Sequence, residues 1–361
     1  MSISPVNKEF VMRKMATIRK IDALRPIEGA DAIECAIVGG WTVVVKKGEY
    51  TAGDLAVYCE IDSFIPNAIA PFLTKPENYP KVFEGVEGER LRTMKLRGQL
   101  SQGLLLPIAT VENLIYIDGT RFQVEEGADV SEFLGIAKYE APIPAALAGE
   151  VKGMFPSVIP KTDQERVQNL KYELSEWLAE DELHWEVTEK LEGSSMTVYC
   201  IDGVVGVCSR NLDLKRFEEN SLWRAAIKYD CETFMPKLNR NIAIQGELVG
   251  NGIQGNIYQM RDQDFLVYDI YDIDAGRYFT PAERKAFVAE HKLNHCPVLA
   301  YSPRLTDTLG LTDMTQVLKF AEGKSVMGMI GCEREGLVFK CHEKSVSFKA
   351  ISNKYLLKHG G

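Results

Sequence analysis

The stretch Glu189-Lys190-Leu191-Glu192-Gly193-Ser194-Ser195 sets a lysine, an acid two residues later and a glycine-led turn in direct succession. A lysine amine is nucleophilic only when burial, a neighbouring cation or a metal lowers its pKa. A strand end beside a tight turn would hold such an amine rigidly, and Gly193 would let backbone come close to a phosphate. Alone, the pattern equally fits a hairpin with a solvated lysine and glutamate. Its company sets it apart. In order follow Ser209-Arg210-Asn211, Gln245-Gly246-Glu247-Leu248, Phe265-Leu266-Val267-Tyr268-Asp269-Ile270, Arg334-Glu335-Gly336-Leu337-Val338-Phe339-Lys340 and Ser347-Phe348-Lys349. Each puts a charged or polar residue in or beside an apolar strand-like run, where a charge must be paired or functional.

Other chemistries lack their signatures. There is no GxxxxGK[ST] loop, no HExxH and no GxSxG, and no GxGxxG opens a strand–helix unit. His291, His295 and Cys296 make part of a metal set without a fourth ligand, or a polar pair at a helix end. The eight cysteines form no CxxC pair and read as buried free thiols in a reducing compartment. The N-terminal stretch Met1–Lys20 is charged, without the apolar core of a signal peptide, and no run nears the roughly 20 apolar residues of a membrane span. An intracellular, cytoplasmic protein is expected. With 42 basic against 51 acidic residues the net charge is −9, which excludes bulk coating of nucleic acid but not a local basic groove.

The elements that must position these residues fall into two regions. Of the 361 residues, 45% are hydrophobic and 26% charged, a composition for folded domains. Residues 1–140 read as short strands with Gly-rich turns, among them Trp41–Val45 and Asp54–Cys59, which suits a small barrel. In Arg90–Arg97, basic and apolar residues largely alternate; a bulge at Thr93-Met94 would bring Arg90, Arg92, Lys95 and Arg97 onto one face. Trp41 fits the core better than a base-stacking role. The stretch 141–160 holds four prolines and almost no charge, and reads as a linker. Residues 161–361 read as α+β with antiparallel sheets. Thr162-Asp-Gln-Glu165 resembles a capping box opening a helix to about Glu180, and Thr280-Pro281-Ala-Glu283 repeats that logic. Strands are expected over 196–201, 242–249, 265–271, 337–340 and 346–349.

Taken together, the ordered motifs over residues 185–350 resemble the covalent nucleotidyltransferase superfamily of ATP-dependent polynucleotide ligases and RNA capping enzymes. Pro160–Asn169 is similar to a segment preceding the nucleophile in several RNA ligases. The N-terminal region, with Gly39-Gly40-Trp41 and Arg90–Gly103, resembles the OB module of RNA ligase family 5, which stands before the transferase domain.

The resemblance implies an OB-like barrel followed by a nucleotidyltransferase domain of antiparallel sheets flanked by helices. It implies that Lys190 attacks the α-phosphorus of ATP to form lysyl-AMP, that AMP passes to a 5′-phosphate, and that a 3′-OH then seals the nick. It assigns Lys349 to the α-phosphate and Arg166 to the outer phosphates, though Arg166 also fits an exposed helix face. Glu192 and Glu335 fall to Mg²⁺ or Mn²⁺, Phe265 to adenine (or plain core), and Glu247 and Arg210 to the ribose. Gly193 belongs to the ATP-binding turn. Lys46, Lys47, Arg90, Arg92, Lys95 and Arg97 are the expected contacts to a nicked duplex containing RNA, bound by a monomer. Two positions depart from the pattern. Glu192 stands where the motif has Asp, and the positions two residues from Lys349 are Ser347 and Ile351 rather than a second lysine. Lys340 or Lys354 could assist, or be solvated charges. A GTP-dependent capping enzyme and a nucleic-acid-binding relative without activity are the alternatives.

Overall fold

The computed structural model describes residues 13–112, 114, 119–140, 149–180, 182–301, 303–328 and 331–359. The chain forms two compact units, one reaching Ala141 and taking in Leu357 onward, the other spanning Pro142–Leu356.

The first unit is built of short antiparallel strands. Leu55–Cys59 lies between Ala16–Lys20 and Leu104–Pro107. Ala23–Pro26, Ile33–Val38 and Trp41–Lys46 form a second sheet, and Ala137–Lys138, Ser63–Pro66, Val86–Arg90 and Lys81–Phe83 a third. In Trp41–Lys46 alternate residues Trp41, Val43 and Val45 are buried, the period-2 burial of a one-sided strand. Trp41 is wholly buried and stacks on Tyr58 with ring centroids 5.8 Å apart, so it is core.

The expected basic strand does not exist as one element. Val86–Arg90 ends at Arg90, and Met94–Leu96 belongs to a separate hairpin with Gln99–Ser101. The hairpin turns through Arg97 and Gly98, both at positive φ as a two-residue turn of this type requires. Neither the bulge at Thr93-Met94 nor an unbroken ladder is present. Arg90 is an ion-pair residue, its guanidinium on Asp62 and over the Tyr139 ring. Arg92, Lys95, Arg97, Lys46 and Lys47 are exposed.

The second unit holds two sheets. In the larger, Ser194–Ile201, Ile242–Val249 and Asp264–Asp272 are consecutive antiparallel neighbours. Met196, Val198, Cys200, Ile242, Ile244 and Leu248 pack into one core with the helices Ser221–Lys228 and Pro281–Glu290. The intervening residues Ser195, Thr197, Gln245 and Glu247 therefore occupy the opposite face. The smaller sheet orders its strands Glu165–Arg166, Val346–Ile351, Gly336–Cys341, Trp185–Lys190, Val298–Ala300. Trp185, Val187, Leu337, Phe339, Phe348 and Ala350 pack against Leu174, Trp177, Val317 and Leu318 of two helices. Its other face carries Glu186, Lys190, Lys340 and Lys349 by the same alternation.

Of the stretch read as a linker, 141–148 lies outside the described residues, while Val151–Met154 is a strand paired with Leu212–Leu214. The helix expected from Thr162 starts only at Lys171. Thr162 Oγ1 instead meets Ser195 Oγ at 3.2 Å, and Glu165-Arg166 joins the sheet beside Phe348-Lys349, so the capping chemistry is spent on tertiary contacts. The second box forms as expected: Thr280 and Glu283 cap Pro281–Glu290 reciprocally. All eight cysteines are free, seven of them buried. No helix among the described residues is long and apolar enough to cross a membrane.

Candidate active site

Lys190 closes the strand Trp185–Lys190, and its Nζ lies 2.7 Å from Glu335 Oε1, with both side chains partly exposed. Glu335 immediately precedes the strand Gly336–Cys341, whose first residue pairs with Lys190. The antiparallel register therefore brings the two motifs together, Lys190 at the last pair of the ladder and Glu335 just beyond it.

The turn after Lys190 is held from three sides. The Glu192 amide donates to the Tyr258 hydroxyl at 2.7 Å. Glu192 Oε1 accepts weakly from the Gly255 amide at 3.3 Å, while Oε2 is buried with no hydrogen-bond partner. A Cβ at Gly193 would stand 2.4 Å from the Leu248 carbonyl oxygen and 2.8 Å from Glu247 Cγ, so glycine is required by close packing on the neighbouring strand. Glu247 faces this turn. Desolvation raises its pKa to about 8; Lys190 and Arg210 oppose that rise, whereas Glu335 and Glu192 add to it. Arg210 is half exposed and pairs with Asp163 at 2.7 Å.

Lys349 sits on the sheet face shared with Lys190. Val338 lies opposite it on one side, and Arg166 is its parallel partner on the other. Directly paired residues project to the same face, so Arg166 supplies a second cation beside Lys349 where Ser347 and Ile351 do not. Arg166 is thus a sheet residue, not part of an exposed helix face. Lys340 and Lys354 do not assist. Lys340 is buried, 2.8 Å from Asp269 Oδ1, and Lys354 pairs with Glu322 at 3.1 Å.

Phe265 is a correction. Its side chain is wholly buried in the core of the larger sheet, with the ring close under Gly246, where a Cβ would lie 2.6 Å from it. A ring with no accessible surface cannot stack on a base. The aromatic that reaches the other face is Tyr268. Gln245 pairs with Asp269 and Gly246 with Val267, leaving Tyr268 as the extra residue of a bulge. It is partly exposed, packs near Leu191 and Tyr258, and its hydroxyl hydrogen-bonds with Thr162 and Ser195.

The comparisons accord with this arrangement. An RNA ligase family model matches residues 183–355, and an OB-fold domain model matches residues 15–108. Solved structures of Naegleria gruberi RNA ligase are similar to the chain at 46% identity, over 96% of this chain and 99% of theirs. They include a mutant with AMP and Mn (TM-score 0.79), a mutant with ATP and Mn (0.79) and the enzyme with PPi (0.78). No curated protein sequence matches the chain.

The chain belongs to the RNA ligase family.

In this ligase an OB-fold module precedes the ligase domain. Several residues that shape the site escaped the motif reading. Tyr258 and Tyr268 are aromatic residues whose neighbours in sequence do not reveal a bulge or a distant amide. Glu189 precedes the nucleophile candidate but points away from it, accepting from Ser325 Oγ and, at 3.0 Å, from the Val326 amide; burial raises its pKa. The histidine–cysteine cluster separates into two roles. His291 stacks on Phe234 and meets Phe287 at a tilt, each 4.4 Å away, and His295 joins a buried charge network.

Proposed function

We propose that this ligase uses ATP and a divalent cation to seal nicks in duplexes containing RNA, through a covalent Lys190–AMP intermediate. The observation that carries the reading is Lys190 Nζ held by Glu335 at a strand end, on the sheet face that also presents Lys349 and Arg166. Support for the nucleotide and the cation comes from the Naegleria gruberi ligase, whose solved structures include forms with ATP and Mn and with AMP and Mn.

The residues present fit a hard cation. Glu192 Oε2 is a buried acceptor with no hydrogen-bond partner, and the charges of Glu335 and Glu192 add to the rise in the pKa of Glu247. Carboxylate oxygens suit Mg²⁺ or Mn²⁺, with Glu192 and Glu335 as the holders. A bound cation would neutralise phosphate charge and favour the neutral form of a nearby amine.

The chain's own groups then divide the work. Lys190 Nζ gives a proton to Glu335 and attacks the α-phosphorus; the N–P bond forms as the bond to the pyrophosphate oxygen breaks. Lys349 neutralises the α-phosphate oxygens and Arg166 meets the departing phosphates, since phosphoryl transfer rests on positioning and charge. Tyr268, in place of Phe265, stacks on adenine. Glu247 and Arg210 hold the ribose. A 5′-phosphate oxygen next attacks the same phosphorus, and as the N–P bond breaks Lys190 takes a proton back from Glu335 and leaves as the amine. The 3′-OH finally attacks the 5′-phosphorus, giving its proton to solvent, and AMP leaves.

Incubation with ATP or GTP labelled at the α-phosphate, with Mg²⁺ or Mn²⁺, tests the reading. A labelled protein band from ATP, absent in Lys190→Ala, is expected. No label from ATP sinks the proposal, and a band that survives Lys190→Ala sinks the nucleophile. For the exposed cations of the OB-fold module, Lys95→Ala with Arg97→Ala should weaken binding to a nicked duplex. The log K against log salt slope should fall by about 1 per lost phosphate contact; an unchanged slope removes these two from the interface.

A further inference from the structure

Outside every motif expected to react, helix Pro281–Glu290 sends Arg284 into a set of charges between the two sheets of the ligase domain. Arg284 is wholly buried. Its Nη2 donates to both carboxylate oxygens of Glu186, on the strand that ends in Lys190. Its Nε donates to His295 Nε2 at 2.9 Å, which places the His295 proton on Nδ1, 2.6 Å from the Cys296 carbonyl oxygen. Its Nη1 lies 3.6 Å from Asp269 Oδ1. Lys340 completes the set, 2.8 Å from the same Asp269 oxygen, and donates to the Tyr268 carbonyl oxygen at 2.8 Å.

Two acids, two cations and a neutral histidine balance. Such a buried set is weak evidence for stability, because apolar residues of similar volume often do as well. Its placement offers a different role. Tyr268 is the bulged residue and Asp269 the next, and Lys340 grips the carbonyl oxygen of the first and the carboxylate of the second. Arg284 in turn braces Asp269 against Glu186. Alternation from Val267 puts the Tyr268 ring on the nucleophile's side of the sheet, the bulge lets Asp269 follow it to the charge network, and the ring's far end is held by Thr162 and Ser195.

We propose that Arg284 is a positioning residue for nucleotide binding: through Asp269 and Lys340 it fixes the bulged Tyr268-Asp269 backbone from which the Tyr268 ring reaches the nucleotide. This rests on the reading of Tyr268 as the stacking ring. The test is lysine adenylylation by the full chain across an ATP titration, with thermal melts alongside. Arg284→Met leaves two buried acids short of a partner, so the charge-neutral double variant Glu186→Met/Arg284→Met is made as well, with Glu186→Gln as the mildest change. Folded members are expected to need about tenfold more ATP for half-maximal labelling, with a smaller change in the saturated rate. Tyr268→Ala should show a similar shift, and adding Arg284→Met to it should add little, because both act through one ring. Wild-type ATP dependence in a folded double variant overturns the proposal, as does full additivity with Tyr268→Ala. If none of the three folds, the network serves folding alone and the proposal fails. If Tyr268→Ala itself leaves ATP dependence unchanged, the stacking assignment has failed instead.

Discussion

One strand, Trp185–Lys190, carries two charge clusters on the same face, and they are built on opposite plans. At its end, Lys190 and Glu335 are partly exposed, and Glu192 and Glu247 bring the acids to three. Lys190 and Arg210 stand against them, Arg210 also paired with Asp163, and Lys349 and Arg166 share the sheet face. Four residues earlier, Glu186 enters a buried set in which acids and cations match and each charge has a counter-charge. In the balanced set the one buried atom without a hydrogen bond, Arg284 Nη1, still faces a counter-charge, Asp269 at 3.6 Å. The cluster around Lys190 keeps a buried carboxylate oxygen with no hydrogen-bond partner and a glutamate driven towards its neutral form. A buried carboxylate oxygen without a partner beside a lysine is what a nucleotide-bound cation would complete.

The sharpest way to break this comparison is to remove one cation from each cluster. Arg284→Met should cost about 3–5 kcal/mol of folding stability, because it strands buried charge. Lys190→Met should abolish adenylylation yet change stability by no more than about 1 kcal/mol, since its ion pair is partly solvated. Urea unfolding of both variants decides it; equal losses would show that the two clusters do not differ as described.

A smaller effect concerns Glu247. Its carboxyl holds a proton in the folded chain up to about pH 8, whereas in the unfolded chain it loses it near the ordinary value, about 4.3. The folded state therefore binds more protons across that window, and this contribution to stability is lost as pH rises from about 4.3 through about 8. Glu247→Gln should remove it. The difference in unfolding free energy, variant minus wild type, should rise by at least about 1.4 kcal/mol between pH 5 and pH 9 without nucleotide. A flat difference would mean the cluster around Lys190 does not strain this carboxyl.

The smallest is a control on the balanced side. Thr280→Ala removes the cap of the helix that carries Arg284 and should cost about 1 kcal/mol, with ATP dependence unchanged. A shifted ATP dependence from so mild a loss would mean that general loosening, not Arg284's contacts, governs the nucleotide.

The strand periodicity of residues 161–361 was readable because burial is one-sided: Ile242–Val249 forms with the bounds its apolar pattern suggests. Lys190, Glu335 and Lys349 could be placed together through the resemblance that their ordered motifs carry, and each proves to mark the end or the polar face of such a strand. Phe265 misled for a physical reason. In a two-faced strand every aromatic looks alike until the register is known, and a single bulge exchanges the faces on either side of it. The basic stretch Arg90–Arg97 failed similarly, since Arg97-Gly98 is turn chemistry and the alternation around it was not one strand. Thr162 shows the limit of local signals: a residue suited to cap a helix bonded instead to Ser195, thirty-three positions away in sequence.

The order of strands in the smaller sheet has a consequence for how the enzyme comes to life during synthesis. The nucleophile's strand, Trp185–Lys190, pairs with Gly336–Cys341, and Val346–Ile351 lies beyond it, with Glu165-Arg166 outermost. Until the ribosome has delivered residue 351, Lys190 has no Glu335 and Arg166 has no Lys349. Pairings this distant close late, after the loop entropy between them is overcome. A nascent chain therefore carries its lysine for about half of its translation without the groups that would let it consume ATP.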